Sequence, residues 1–124
     1  MRTTAKIIST ATSIAALLGS LALAIPAVSS AKEASVIDQG KAIAFNKKKG
    51  NCLACHQIVG GKLPGNIGPP LVSMKARFPD KAKLKAQITD ARTNNPNTIM
   101  PPFGPHEILS KGDINKVVEF IYSL

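Results

Sequence analysis

The chain is short of aromatic side chains. Its 124 residues hold four Phe, one Tyr and no Trp. A domain of this size buries only a thin core. Without large rings to fill it, the interior needs another source of apolar bulk. Metal ligands are equally scarce, at two Cys and two His. A structural zinc site takes four ligands, mostly from these two residue types. Here it would need both cysteines, His56 directly after the second, and the distant His106, so that reading fails on arithmetic. Acidic residues number seven against sixteen Lys and Arg, a formal charge of +9. No segment alternates with period two for long enough to form a strand, and no repeat or low-complexity tract is present.

Long apolar runs are also missing. The one candidate, "IAALLGSLALAI" (Ile14–Ile25), is too short to cross a bilayer comfortably, which takes roughly twenty residues. It follows Arg2 and Lys6 and precedes the small residues of "SSA" (Ser29–Ala31). This is the pattern of a secretory signal peptide over residues 1–31, leaving one domain over residues 32–124 in the periplasm. Export removes nucleic acid from the partners that a basic chain would suit. An acidic protein surface remains. "NKKKG" (Asn46–Gly50) is the only lysine run and reads as a solvated face.

What is there is helical and loop-rich. "SVIDQGKAIAFNKKKG" (Ser35–Gly50) predicts a helix with Ile37, Gly40, Ile43 and Ala44 on one face and Gly50 as its stop. "DKAKLKAQITDAR" (Asp80–Arg92) predicts a second, capped by Asp80, with Leu84, Ile88 and Ala91 in line. "SKGDINKVVEFIYSL" (Ser110–Leu124) is the clearest, with Ser110 as cap and Ile114, Val117, Val118 and Ile121 at i, i+3, i+4, i+7. Between them, Gln57–Leu71 packs four Gly and three Pro into fifteen residues. Thr93–Leu109 is broken by Pro96, Pro101, Pro102 and Pro105. Loops this long in a small domain need a ligand to organise them.

Both cysteines fall in "GNCLACHQIVG", as Cys52-Leu53-Ala54-Cys55-His56. A disulfide suits an exported chain, but a thioredoxin-like site belongs beside a βαβ pattern, and no strand is visible. Covalent haem attachment uses every residue of the motif. Two thiols add to the porphyrin vinyl groups as thioethers, and the adjacent His56 is delivered to the iron. One haem c would also supply the missing apolar bulk. The sixth ligand has three candidates, Met100, Met74 and His106. Met100 sits in a loop stiffened by the two prolines after it, which suits presentation of one thioether. Met74 lies in helix-compatible sequence and reads equally as core filler. His106 reads as a solvated loop residue. A constrained carbonyl at Pro69 is placed to accept the other ring N–H of His56.

This order of helix, CxxCH, proline loop, helix, methionine loop and last helix resembles the class I cytochrome c family. The resemblance implies an all-α fold of three main helices around a covalently bound haem, with long Pro/Gly loops. It implies that the first and last helices cross, with Gly40 and Phe45 meeting Phe120 or Tyr122. It implies His56 and Met100 as axial ligands and the Pro69 carbonyl behind His56. "KKGNCLACH", "GNIGPPLVSMKARFPD", "NPNTIMPPFGPHEILS" and "DINKVVEFIYSL" are similar to the SoxX group, the monohaem subunits of SoxAX complexes. That likeness implies a periplasmic heterodimer with SoxA, an L-cysteine S-thiosulfotransferase that couples thiosulfate to a cysteine of the carrier SoxYZ. Bond formation is expected on SoxA. The subunit resembling this chain takes the electrons and passes them to a downstream cytochrome. The alternative is a free electron shuttle in another respiratory pathway. A cofactor-free thiol–disulfide protein is a third reading, from a different class.

Overall fold

The computed structural model describes residues 34–124; the expected export signal over residues 1–31 lies outside them. Among the described residues there are four α-helices and no strand. They are α1 (Val36–Phe45), α2 (Met74–Arg77), α3 (Lys81–Thr89) and α4 (Lys111–Tyr122).

Each main helix opens on a side-chain cap, which satisfies backbone N–H groups left unpaired in the first turn. Ser35 accepts from the Asp38 N–H, Asp80 from Ala82 and Ser110 from Asp113. The last two are the caps expected from sequence. α1 is shorter than the predicted helix to Gly50. Asn46 turns extended, and its side chain accepts the Lys48 N–H at 2.8 Å. This Asx turn competes with the helix, and three consecutive lysines gain nothing by continuing it. The chain folds back so that the Gly50 N–H reaches the Ile43 carbonyl at 3.2 Å. Ile37, one turn before the buried Gly40, is 44% exposed rather than buried.

α3 also stops early, at Thr89 rather than Arg92. Asp90 is extended and caps a separate 3-10 turn, Ala91–Thr93. The Arg92 guanidinium bonds the same carboxylate and holds it below the usual carboxylate range. α2 falls in the stretch around Met74 that the sequence marks only as helix-compatible. It is a four-residue helix whose first N–H, on Met74, donates to the Leu124 carbonyl at 2.9 Å.

α1 crosses α4. At the crossing a side chain on Gly40 would overlap the Lys116 carbonyl and the Phe120 Cβ, so only glycine lets the two backbones approach this closely. Phe45 meets Phe120 edge-on, with centroids 5.8 Å apart and planes at 82°. Tyr122 is turned elsewhere, with Lys81 Nζ 4.8 Å from its ring and its hydroxyl donating to the Pro79 carbonyl. Ile43, Ala44, Leu84, Ile88, Ile114, Val117, Val118, Phe120 and Ile121 close the core from the helices. Each large apolar side chain there contributes about 1.5–3 kcal/mol. Ile58, Phe103 and Leu109 anchor the loops into it.

Candidate functional site

The Cys-Leu-Ala-Cys-His segment coils tightly. Asn51 enters with φ of 47°, the left-handed region that Asn tolerates better than most residues. Cys52–Ala54 then forms a 3-10 turn, and the Cys52 carbonyl accepts both the Cys55 N–H and the His56 N–H. One turn thus presents two thiols and an imidazole together. The thiols are not joined in a disulfide, and both are partly exposed. Burial pushes the Cys52 thiol up to about 11 from its ordinary 9.0, its own backbone hydrogen bond opposes this, and Cys55 adds to it. Redox-active cysteines of the thioredoxin type have thiols pulled down instead.

The proline loop is laid along this turn by three backbone hydrogen bonds. Gly65 donates to Leu53 at 2.8 Å, Gly68 to Cys55 at 2.8 Å and Leu71 to Gln57 at 2.9 Å. Gly68 passes so close to the imidazole that a Cβ there would run into the His56 ring. The result is a contact of 2.7 Å between His56 Nδ1 and the Pro69 carbonyl. A carbonyl can only accept, so Nδ1 carries the proton. The lone pair is then on Nε2, the nitrogen free to bind a metal. Arg77 braces the next peptide, donating from Nη1 to the Pro70 carbonyl at 2.7 Å.

The three candidates for a second axial donor differ sharply in setting. Met74 is 1% exposed and packed in the core, where its sulfur takes Arg77 Nη1 at 3.5 Å. It fills space, the blander of its two sequence readings. His106 is exposed in the loop before α4. Met100 is partly buried at the edge of the core, in the segment between the 3-10 turn and Pro101–Pro102. Its N–H donates to Thr98 Oγ1 at 3.2 Å. Gln87 Nε2 approaches its sulfur to 4.0 Å. The sequence reading missed Gln87 and Arg77. Gln87 left a signal, because it is the one polar residue on the stripe Leu84, Gln87, Ile88, Ala91. Arg77 left none.

Among the described residues no three His, Cys, Asp or Glu side chains gather as a metal site. No helix among them is long and apolar enough to cross a membrane. A cleft of about 460 Å³ between Ile58, Val59, Pro64, Pro70 and Val72 is lined by none of Cys52, Cys55, His56 or Met100.

A helical frame closed at a glycine crossing, with a CxxCH turn against a proline loop, defines a class I cytochrome c. The chain belongs to the family described as cytochrome c oxidase, cbb3-type, subunit III, which matches residues 35–121. It is also similar to a chain in the crystal structure of SoxXA from P. pantotrophus. The identity is 29%, over 68% of this chain and 78% of that one, with a TM-score of 0.62. No curated protein matches the chain. It is a SoxX-like monohaem cytochrome, and its cofactor is a covalently bound haem c. The residues present fit that group. Two unpaired thiols and an imidazole already held by a carbonyl are the donor set it requires.

Proposed function

We propose that the chain is the electron-accepting subunit of a SoxXA-type heterodimer in the periplasm. Residues 1–31 direct its export. Cys52 and Cys55 hold the haem as thioethers, and His56 Nε2 and Met100 Sδ are the axial donors. Bound there, the haem supplies a one-electron couple. The chain's own residues set its properties. The Nδ1–H···O=C bond to Pro69 fixes the ring of His56 and makes it a stronger donor. A thioether opposite raises the potential relative to other ligand sets, which suits an acceptor. With both axial positions filled from the chain, no substrate coordinates here. Joining thiosulfate to the SoxYZ cysteine is then the work of the SoxA partner, and the electrons leave to a downstream cytochrome. Exposed lysines such as Lys47 and Lys48 favour encounter with an acidic surface.

The observation that carries this reading is the likeness to a chain of the SoxXA structure. The family's description names an oxidase and no sulfur chemistry, which leaves room for a second reading, a free periplasmic shuttle in another respiratory pathway. Purification from the native host separates them. The first reading expects one haem c per chain and stable co-purification with SoxA. A haem-loaded protein that stays monomeric in the presence of SoxA contradicts the first reading and leaves the second.

A further inference from the structure

The chain from Gln57 to Val72 carries an apolar surface that the fold does not use. Its first turn is closed by the Gly61 N–H on the Ile58 carbonyl at 3.0 Å, with Gly60 at φ 79°. Ile58 anchors that turn in the core, and the Gly65 N–H ties the far side to the Leu53 carbonyl at 2.8 Å. Between these fixed points Leu63 is 96% exposed, and Val59 is 73% exposed. Leu63 also sits at φ 51°, the left-handed region that a leucine disfavours. An exposed leucine on a strained backbone adds nothing to the core, and such strain gathers at functional segments. The cleft of about 460 Å³ lies alongside, lined by Val59, Pro70, Val72 and the neighbours Gly61 and Pro64. The charge around it has one sign. From Gln39 to Pro79 the sequence holds no Asp or Glu. Lys62 is exposed beside Leu63, and Lys41 Nζ lies 3.5 Å from where a side chain on Gly60 would begin. Among the described residues neither lysine is in an ion pair.

We propose that the face from Val59 to Val72 is where the SoxA-type partner subunit docks, with an apolar side chain seated in the cleft and carboxylates set against Lys41 and Lys62. This deepens the SoxXA-type reading and rests on it. An exposed apolar patch around a preformed hollow marks a contact with another protein. Lasting interfaces are apolar at their centre, whereas transient redox encounters are smaller and more polar. The apolar face therefore goes to the permanent partner and not to the downstream cytochrome. A flat anionic lipid surface would meet the lysines but leave the hollow unfilled. Cations at the rim with no partner of their own are complemented by acidic residues opposite, which also fix the register of docking. The loop is held at both ends before a partner arrives, so little conformational freedom is lost on binding.

The test is the affinity of the haem-loaded protein for SoxA, measured for wild type and Leu63→Asn, with thermal unfolding and the optical spectrum read alongside. Asn tolerates the left-handed backbone better than Leu. Leu63→Asn should therefore unfold at the same temperature or higher, keep its haem spectrum, and bind SoxA about tenfold more weakly, the loss expected for one buried leucine. Lys62→Glu should weaken binding too, more at low salt than at high, and by more than Lys83→Glu, the same charge change on α3. Equal effects from the two lysines would mean that only net charge matters, which overturns the docking face. A lower unfolding temperature for Leu63→Asn would make Leu63 part of the fold, and a moved spectrum would make it part of the haem pocket; either overturns the proposal. So does binding to phosphatidylglycerol vesicles that Leu63→Asn abolishes while its affinity for SoxA is unchanged. A wild-type protein that does not bind SoxA refutes the SoxXA-type reading and this face with it. Wild-type binding that Leu63→Asn and Lys62→Glu both retain in full refutes only the face.

Discussion

The helical frame and the two loops are held together by different means. α1, α3 and α4 are stabilised by buried side chains, from Ile43 and Ala44 to Phe120 and Ile121. The loops carry few core residues and depend on backbone hydrogen bonds, such as Gly68 to Cys55 and Gly104 to Thr89. Large apolar side chains are exposed mostly on the loops, at Val59, Leu63, Ile67, Val72, Ile99 and Ile108. The residues proposed to hold the haem, Cys52, Cys55, His56, Pro69 and Met100, also lie outside the main helices. The helices bury most of their large apolar side chains, whereas the loops leave many of theirs exposed. Function is placed on segments that a rigid scaffold positions.

Substitutions can break this division. The largest effect is expected from Cys52→Ser with Cys55→Ser. All covalent haem should vanish from the denatured protein's spectrum, and much of the thermal stability should go with it, because the loops lose their organiser. A variant that kept full stability would mean that the loops need no cofactor. Next is Gly40→Val, which forces the α1/α4 backbones apart. Overpacking of this kind costs about 3 kcal/mol, measurable by denaturant unfolding, with the haem spectrum of the folded fraction unchanged. The reverse pattern is expected for Gly68→Ala. It presses on the His56 ring, so potential and spectrum should move while stability falls by about 1 kcal/mol. The smallest effect is Ser110→Ala, which removes the α4 cap at a cost of about 1 kcal/mol with no spectral change. Spectral shifts from Gly40→Val or Ser110→Ala would show that frame and site are not separable.

The frame was largely legible in the sequence because its signals are local. Ser110 and Asp80 cap as their residue types predict, and the apolar faces of α3 and α4 follow simple spacing. What was not legible depends on distant partners. α2 has no side-chain cap, and its first N–H is satisfied by the Leu124 carbonyl, fifty positions on. α1 ends at Phe45 because Asn46 finds its own turn, a competition that the helical pattern of Ser35–Gly50 hides. The motif named the thiols and His56 outright. It also drew attention to Pro69, whose carbonyl lies 2.7 Å from Nδ1. The burial of Met74 and the contact of Gln87 with Met100 are tertiary facts that no spacing encodes.

Optical spectra of the oxidised, haem-loaded protein and of Met100→Ala test the central claim most directly. The wild-type protein should show the long-wavelength sulfur-to-iron band. Met100→Ala should lose it and have a lower reduction potential, with haem still covalently attached. A wild-type protein without that band, or a Met100→Ala variant that keeps it, would contradict His56/Met100 ligation.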